Sequence, residues 1–243
     1  MSETIDSALR DKIVDLIQVN RISTTEVADV LGKTGHIEGL APINPQIFKA
    51  GIVEFIYTHD GSNYEMHRQI ESVGKGRIAY IHAINCAKRA VMGDLVSKYL
   101  YLYRQAAAVV VDGYVRDAHS LIKERYPLWA RGVTPIGCVN AKPERPAADD
   151  VVAPLRQRFH GGIMVCDDSG VVLIEPSQIT SDLHERLNLI ELQEDLWYDC
   201  LDSDKMSTFD VVCQKKYLTD PAMMNLPKVV RLKKFLAGAP PRK

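Results

Sequence analysis

The chain has 243 residues, 46% of them hydrophobic, enough for one large core or a core domain with an appendage. Lys and Arg number 30 against 31 Asp and Glu, and the net charge of −1 lacks the basic footprint of a dedicated nucleic-acid binder. No apolar run reaches membrane-spanning length, the polar start Met1-Ser2-Glu3-Thr4 is not a signal peptide, and the five cysteines are scattered without a C-x-x-C pair, which argues against a membrane protein, a disulfide framework and a structural zinc site and points to the cytoplasm.

Ile5, Leu9, Ile13, Leu16 and Ile17 recur at helical spacing and predict a first helix over residues 5–18. Ser23-Thr24-Thr25-Glu26 reads as a capping box that opens a second helix through Val27, Val30 and Leu31, stopped at Gly32. Gly32-Lys33-Thr34-Gly35 superficially matches a phosphate loop, but it follows a helix and lacks the full pattern, so nucleotide binding is discounted. Residues 50–57 predict a strand, His59-Asp60-Gly61-Ser62 a turn, and residues 63–73 a helix carrying His67, read as structural. A second strand is expected over 77–83. Gly93-Asp94 then opens a helix over about 95–104, whose N-terminal amides suit an anion.

The most informative stretch is Val109-Val110-Val111-Asp112-Gly113-Tyr114-Val115-Arg116-Asp117. The Val run predicts a buried strand, and Asp112-Gly113 reads as a turn. Arg116 and Asp117 would stand at a strand end, where ligands of α/β folds gather. A guanidinium suits a carboxylate or enolate oxygen, and a carboxylate suits a hard divalent cation. The same two side chains also fit a solvated surface pair.

Beyond this stretch, a short helix is expected over 119–125, a strand or loop over 128–133, and a long loop over 140–150. Residues 163–165 and 171–174 predict a hairpin around Asp167-Asp168-Ser169-Gly170, whose carboxylates fit turn chemistry or a metal. Cys166 reads as a small core residue. From Pro176 the character changes to an acidic amphipathic helix over 183–201 and a basic helical end over 229–236. Residues 1–176 therefore read as one domain and 177–243 as a helical C-terminal extension.

The blocks Thr25–Gly35, Gly39–Pro45, Gly93–Val96, Asp112–Asp117, Ala130–Pro135 and Asp167–Val172 appear in the order of one family. Through them the chain resembles the regulator of ribonuclease activity A family, which includes class II pyruvate aldolases acting on 4-hydroxy-4-methyl-2-oxoglutarate. The resemblance implies an α/β fold, a swivelling β/β/α sandwich assembled as a homotrimer or homohexamer. It implies that Asp117 holds Mg²⁺ or Mn²⁺, largely through water, and that Arg116 contacts the keto or enolate oxygen of a 2-oxo acid. The substrate carboxylate would lie on the amides of Leu95 and Val96, after Gly93 and Asp94. The implied activity is metal-dependent cleavage of a 4-hydroxy-2-oxo acid to pyruvate and a second oxo compound, with oxaloacetate decarboxylation on the side. The acid that the family places three residues after Asp117 is Ser120 here, and His160-Gly161-Gly162 replaces Pro-Gly-Asp. Two alternatives stay open: a non-catalytic oligomer binding a ribonuclease or another protein, and a metal-dependent 2-oxo acid decarboxylase.

Overall fold

The helical spacing at the start of the chain folds as α1 (Ser7–Asn20) in the computed structural model, which describes residues 7–238. Ile5, taken as the first apolar position of that helix, lies outside the described residues. Ser23 caps α2 (Thr24–Val30) reciprocally: its hydroxyl accepts from Glu26 N, and Glu26 accepts from Ser23 N. Gly32 follows at φ +76°, a left-handed turn that suits glycine and ends the helix. No described helix is long and apolar enough to cross a membrane.

Among the described residues, eight strands form one mixed sheet: β1 (Ala41–Pro42), β2 (Lys49–His59), β3 (Ile78–Ile84), β4 (Ala90–Met92), β5 (Ala108–Val115), β6 (Leu128–Val133), β7 (Ile163–Asp167) and β8 (Gly170–Ile174). The order is β1-β6-β5-β3-β2-β7-β8, with β4 paired to the end of β5. Strands β2, β3, β5 and β6 are parallel, and β1, β7 and β8 are antiparallel to their neighbours. The long strand β2 serves two partners. Its first residues pair with β7 and its last seven with β3. The chain before β1 pairs with β8 through Ile37 N to Val171 O and Leu173 N to Gly35 O, so the sheet curls into a nearly closed barrel.

Alternation along the parallel strands makes two apolar cores. Ala79, Ile81, Val109 and Val111 face helices α3 (Tyr64–Gln69), α4 (Asp94–Leu102) and α5 (Ala118–Lys123), which contribute Met66, Leu100 and Leu121. Tyr80, Val110 and Trp129 face inward against Met164, Cys166 and Leu173, and Phe159 of α6 (Asp149–Phe159) closes that core. Cys166 is the small core residue its apolar surroundings suggested.

Two expectations change and one alternative is decided. Asp112-Gly113 is no turn, because β5 runs through it to Val115. A Cβ on Gly113 would lie 2.7 Å from Ala83 Cβ, so this glycine marks a close approach of strands. Of the strand or loop expected over residues 128–133, the structure has the strand, held in parallel to β5. The loop from Asn140 ends at Ala148, where α6 begins despite Pro154 in its interior. Phe159 of α6 stacks 4.2 Å from the Tyr80 ring, and Arg156 lies over the Phe55 ring. That tertiary contact outweighs the helix-breaking proline.

The chain divides into two compact units, Met1–Leu183 and His184–Lys243. The second has its own core of Leu196, Cys200, Val211, Tyr217, Met223, Val229 and Leu232. Within it, Trp197 Nε1 donates to Tyr217 Oη at 3.1 Å, and Lys228 on α8 (Pro227–Gly238) pairs with Asp199 on α7 (Ser181–Asp202).

Candidate active site

Strand β5 ends where β4 gives way to α4, and three chain segments meet there. Arg116 N donates to Met92 O at 3.0 Å, which lays the end of β5 along β4. Gly93 follows as the N-cap of α4. Asp117 is the N-cap of α5 and sits in the left-handed region at φ 59°, an uncommon conformation that Asp tolerates better than most residues. This backbone sends the Asp117 carboxylate back over Gly93. Its Oδ2 accepts from Asp94 N at 3.2 Å and lies 3.5 Å from Arg116 Nε.

Gly93 is required by this packing. A Cβ there would stand 2.1 Å from Asp117 Oδ2 and 2.9 Å from Arg116 Cγ. Gly137 plays the same part on the other side, where a Cβ would stand 2.9 Å from Arg116 Nη1. Ser97, fully buried, donates from its hydroxyl to Gly93 O at 3.0 Å and fixes the first turn of α4. The amides of Leu95 and Val96 belong to that first turn and have no partner one turn back. They add the positive end of the helix dipole to the charge of Arg116.

Gly93, Leu95, Val96, Arg116 and Asp117 line one cleft of about 200 Å³. Asp94 contributes its amide to the Asp117 carboxylate. Arg116 and Asp117 also line a second depression with Val133, Thr134 and Pro135. The expected site residues are therefore brought together by the fold. Asn63, Gly137, Cys138 and Asn140, which no motif in the sequence singles out, and His67, which the sequence pattern leaves as structural, also line the cleft. Burial pushes the His67 imidazole pKa down, which favours its neutral form. Asn63 donates from Nδ2 to Val91 O at 3.3 Å, and its Oδ1 is buried without a protein partner. The only signal for Asn63 was the turn before it, since its neighbours in the cleft are distant in sequence.

Other acidic residues serve the fold. Asp167 accepts from Thr24 N, Thr24 Oγ1 and Ser169 N, and Asp168 accepts from Gln46 N. The hairpin carboxylates are thus engaged in turn and cap chemistry. Asp112 is buried beneath the end of β5 and accepts from Tyr80 Oη at 3.0 Å, His82 Nδ1 and Arg131 Nε. Burial alone would raise its pKa, but the hydrogen bonds from His82 and Arg131 outweigh it and bring the carboxyl down to about 2. Among the described residues no group of three or more His, Cys, Asp and Glu side chains is gathered as a metal cage. A cation at Asp117 would be held by one carboxylate and water, as Mg²⁺ often is.

Residues 24–173 match the family model described as RraA-like, Aldolase/RraA. A protein of Halalkalibacterium halodurans, provisionally named a 4-hydroxy-4-methyl-2-oxoglutarate aldolase, is 28% identical over 177 residues, covering 68% of this chain and 79% of that protein. The crystal structure of an uncharacterized protein from Pseudomonas syringae pv. tomato superposes with a TM-score of 0.63 at 22% identity, over 84% of this chain and 94% of the other. RraAS2 of Streptomyces coelicolor, described as an unusual member of the RNase ES inhibitor RraA protein family, superposes with a TM-score of 0.58 at 18% identity, over 81% of this chain and 98% of its own. These two likenesses establish the fold, and the family model spans more than half of the chain, so the protein belongs to the RraA-like, Aldolase/RraA family.

Proposed function

We propose that the protein is a divalent-metal-dependent lyase that cleaves a 4-hydroxy-2-oxo acid to pyruvate and a second oxo compound. One observation carries this reading: Asp117, Arg116 and the first-turn amides of α4 converge on a single cleft through the close approach at Gly93. The donor set fits Mg²⁺ or Mn²⁺. Asp117 Oδ2 takes the protein contacts, which leaves Oδ1 for a cation or its water. When bound, such a cation supplies Lewis-acid polarisation of the 2-oxo group.

The chain's own groups do the rest. The amides of Leu95 and Val96 hold the substrate carboxylate at the helix N-terminus. Arg116 donates to the 2-oxo oxygen as that oxygen gains negative charge. Breakage of the C3–C4 bond sends its electron pair toward C2 and that oxygen, the C4 hydroxyl loses its proton, and C3 takes up a proton to give pyruvate. Loss of CO₂ from oxaloacetate develops the same charge, so decarboxylation is the expected side activity. Exposed Leu95, Ile122, Val133, Ile136 and Val139 provide apolar surface for assembly as a homotrimer or homohexamer.

Pyruvate release from 4-hydroxy-4-methyl-2-oxoglutarate and from oxaloacetate, coupled to lactate dehydrogenase, tests the reading with Mg²⁺ and with excess EDTA. Arg116→Ala is expected to lower metal-dependent turnover about 10²–10³-fold while the melting curve holds. Near-normal turnover of that variant removes Arg116 from the chemistry. Ser120, where the family resemblance expects an acid, favours a second reading as a protein-binding regulator of a ribonuclease. That reading leads if no substrate yields pyruvate and a purified ribonuclease binds stoichiometrically.

A further inference from the structure

Asn63 lines the cleft from the N-cap position of α3. An N-cap asparagine ordinarily turns its Oδ1 onto the amides of the first helical turn, yet this one makes no side-chain cap bond. It is held elsewhere. Asn63 N donates to Val139 O at 3.0 Å and Nδ2 to Val91 O at 3.3 Å, so the residue ties β4 to segment 136–139. That segment is fixed to β4 in turn, by Ala90 N to Ile136 O at 2.8 Å and Cys138 N to Ala90 O at 2.9 Å. Buried Ser62 donates from Oγ to Ala141 O at 2.6 Å and steadies the same corner. The bond to Val91 sets the sense of the side-chain amide, because turning it over would place two acceptor oxygens face to face. Oδ1 is thereby left as a buried acceptor without a protein partner. Such an orphan is costly until a donor meets it.

We propose that Asn63 is a specificity-determining residue for the hydroxyl-bearing half of the substrate, its Oδ1 accepting a hydrogen bond from the C4 hydroxyl. This inference rests on the lyase reading above and deepens it. An amide oxygen only accepts. In a 4-hydroxy-2-oxo acid at neutral pH the carboxylate and the 2-oxo group also only accept, so the C4 hydroxyl is the one donor the substrate offers. The rest of the cleft has the opposite character, since Arg116 and the amides of Leu95 and Val96 are donors suited to the carboxylate and the 2-oxo oxygen.

One fixed acceptor facing a set of donors gives the cleft a direction. The C1–C2 end of the substrate goes to α4 and Arg116, and C4 goes to α3. Asn63 is held in that place by bonds to two other segments, so little ordering is left to do when the hydroxyl arrives. Oxaloacetate carries a carboxylate at C4 and has no proton to give to Oδ1. Asn63 therefore favours cleavage of the hydroxy acid over decarboxylation.

Two probes that cannot be cleaved, 2,4-dihydroxybutanoate and 2-hydroxybutanoate, differ by the C4 hydroxyl and lack the 2-oxo group. They are titrated calorimetrically into the full-length protein with Mg²⁺. Wild type is expected to bind the dihydroxy acid about tenfold more tightly, and Asn63→Ala to bind both equally. Equal affinity or no binding of either probe in wild type overturns the proposal, as does a preference that survives in Asn63→Ala. Pyruvate release is then measured for both proteins. Asn63→Ala is expected to lower kcat/KM for 4-hydroxy-4-methyl-2-oxoglutarate about tenfold and to leave oxaloacetate decarboxylation nearly unchanged. An equal loss of both activities would mean that Asn63 only props β4 through Val91, and also overturns the proposal. No pyruvate from either substrate, with the wild-type probe preference present and lost in Asn63→Ala, removes the lyase reading and leaves the hydroxyl subsite standing.

Discussion

Gly93→Ala tests whether the close approach under Asp117 organises the site. The added Cβ would stand 2.1 Å from Asp117 Oδ2, whereas ordinary contact begins near 3.4 Å. The carboxylate must withdraw by more than about 1 Å, and a misplacement of that size costs on the order of 10²-fold in rate. Arg116 is pushed as well, since its Cγ lies 2.9 Å from the same position. The hydrogen bond from Asp94 N to Asp117 Oδ2, now 3.2 Å, is lost with the movement. The variant is expected to release pyruvate about 10²-fold more slowly and to need more Mg²⁺ or Mn²⁺ for half-maximal rate. Overpacking at one position costs about 1–3 kcal/mol, a shift of several degrees in Tm for a protein of this size. Melting curves therefore separate a displaced carboxylate from an unfolded chain. Turnover within threefold of wild type, with an unchanged cation requirement, would refute the reasoning.

Acid stability should report on Asp112. Its carboxyl titrates at about 2 in the folded protein against an ordinary value of 3.8, so its stabilising contribution is full above pH 4 and fades as pH falls toward 2. The buried shift corresponds to about 2 kcal/mol, and Asp112→Asn should flatten the loss of stability over that window in acid denaturation followed by circular dichroism. An identical acid profile for the variant would deny the network around Tyr80, His82 and Arg131 that role. Asp167→Ala should lower stability by about 1–3 kcal/mol by freeing Thr24 and Ser169 groups, yet leave the cation requirement of pyruvate release as it was. A changed cation requirement would place Asp167 at a metal instead. Ser23→Ala should cost about 1 kcal/mol in urea unfolding through loss of the capping box, and an unchanged midpoint would contradict the cap.

Local patterns in the chain were enough for the elements whose signals are local. The capping box at Ser23, the left-handed stop at Gly32, the hairpin at Asp167–Gly170 and the helix after Gly93 each depend on residues within one turn of one another. The alternation of Val109 and Val111 with Ala108 and Val110 likewise assigns two faces before any fold is known. Arg116 and Asp117 stood out because they follow a buried run, and their adjacency is covalent.

Tertiary structure decided what depends on approach between distant segments. Asp112-Gly113 carries a turn signature, yet β3 pairs up to Asp112 and β6 pairs before and after a register shift at those two residues, so β5 runs on to Val115. Pro154 argues against a helix, yet α6 forms because Phe159 is buried against Tyr80. The reason Gly93 must be glycine appears only when Asp117 folds back over it. Asn63 and His67, Cys138 and Arg116 join in one cleft from three separate segments. Sequence periodicity records which face of an element is apolar. Which side chains from other elements come within a few ångströms is set by sheet order and helix packing, and that is where the chemistry of this protein is assembled.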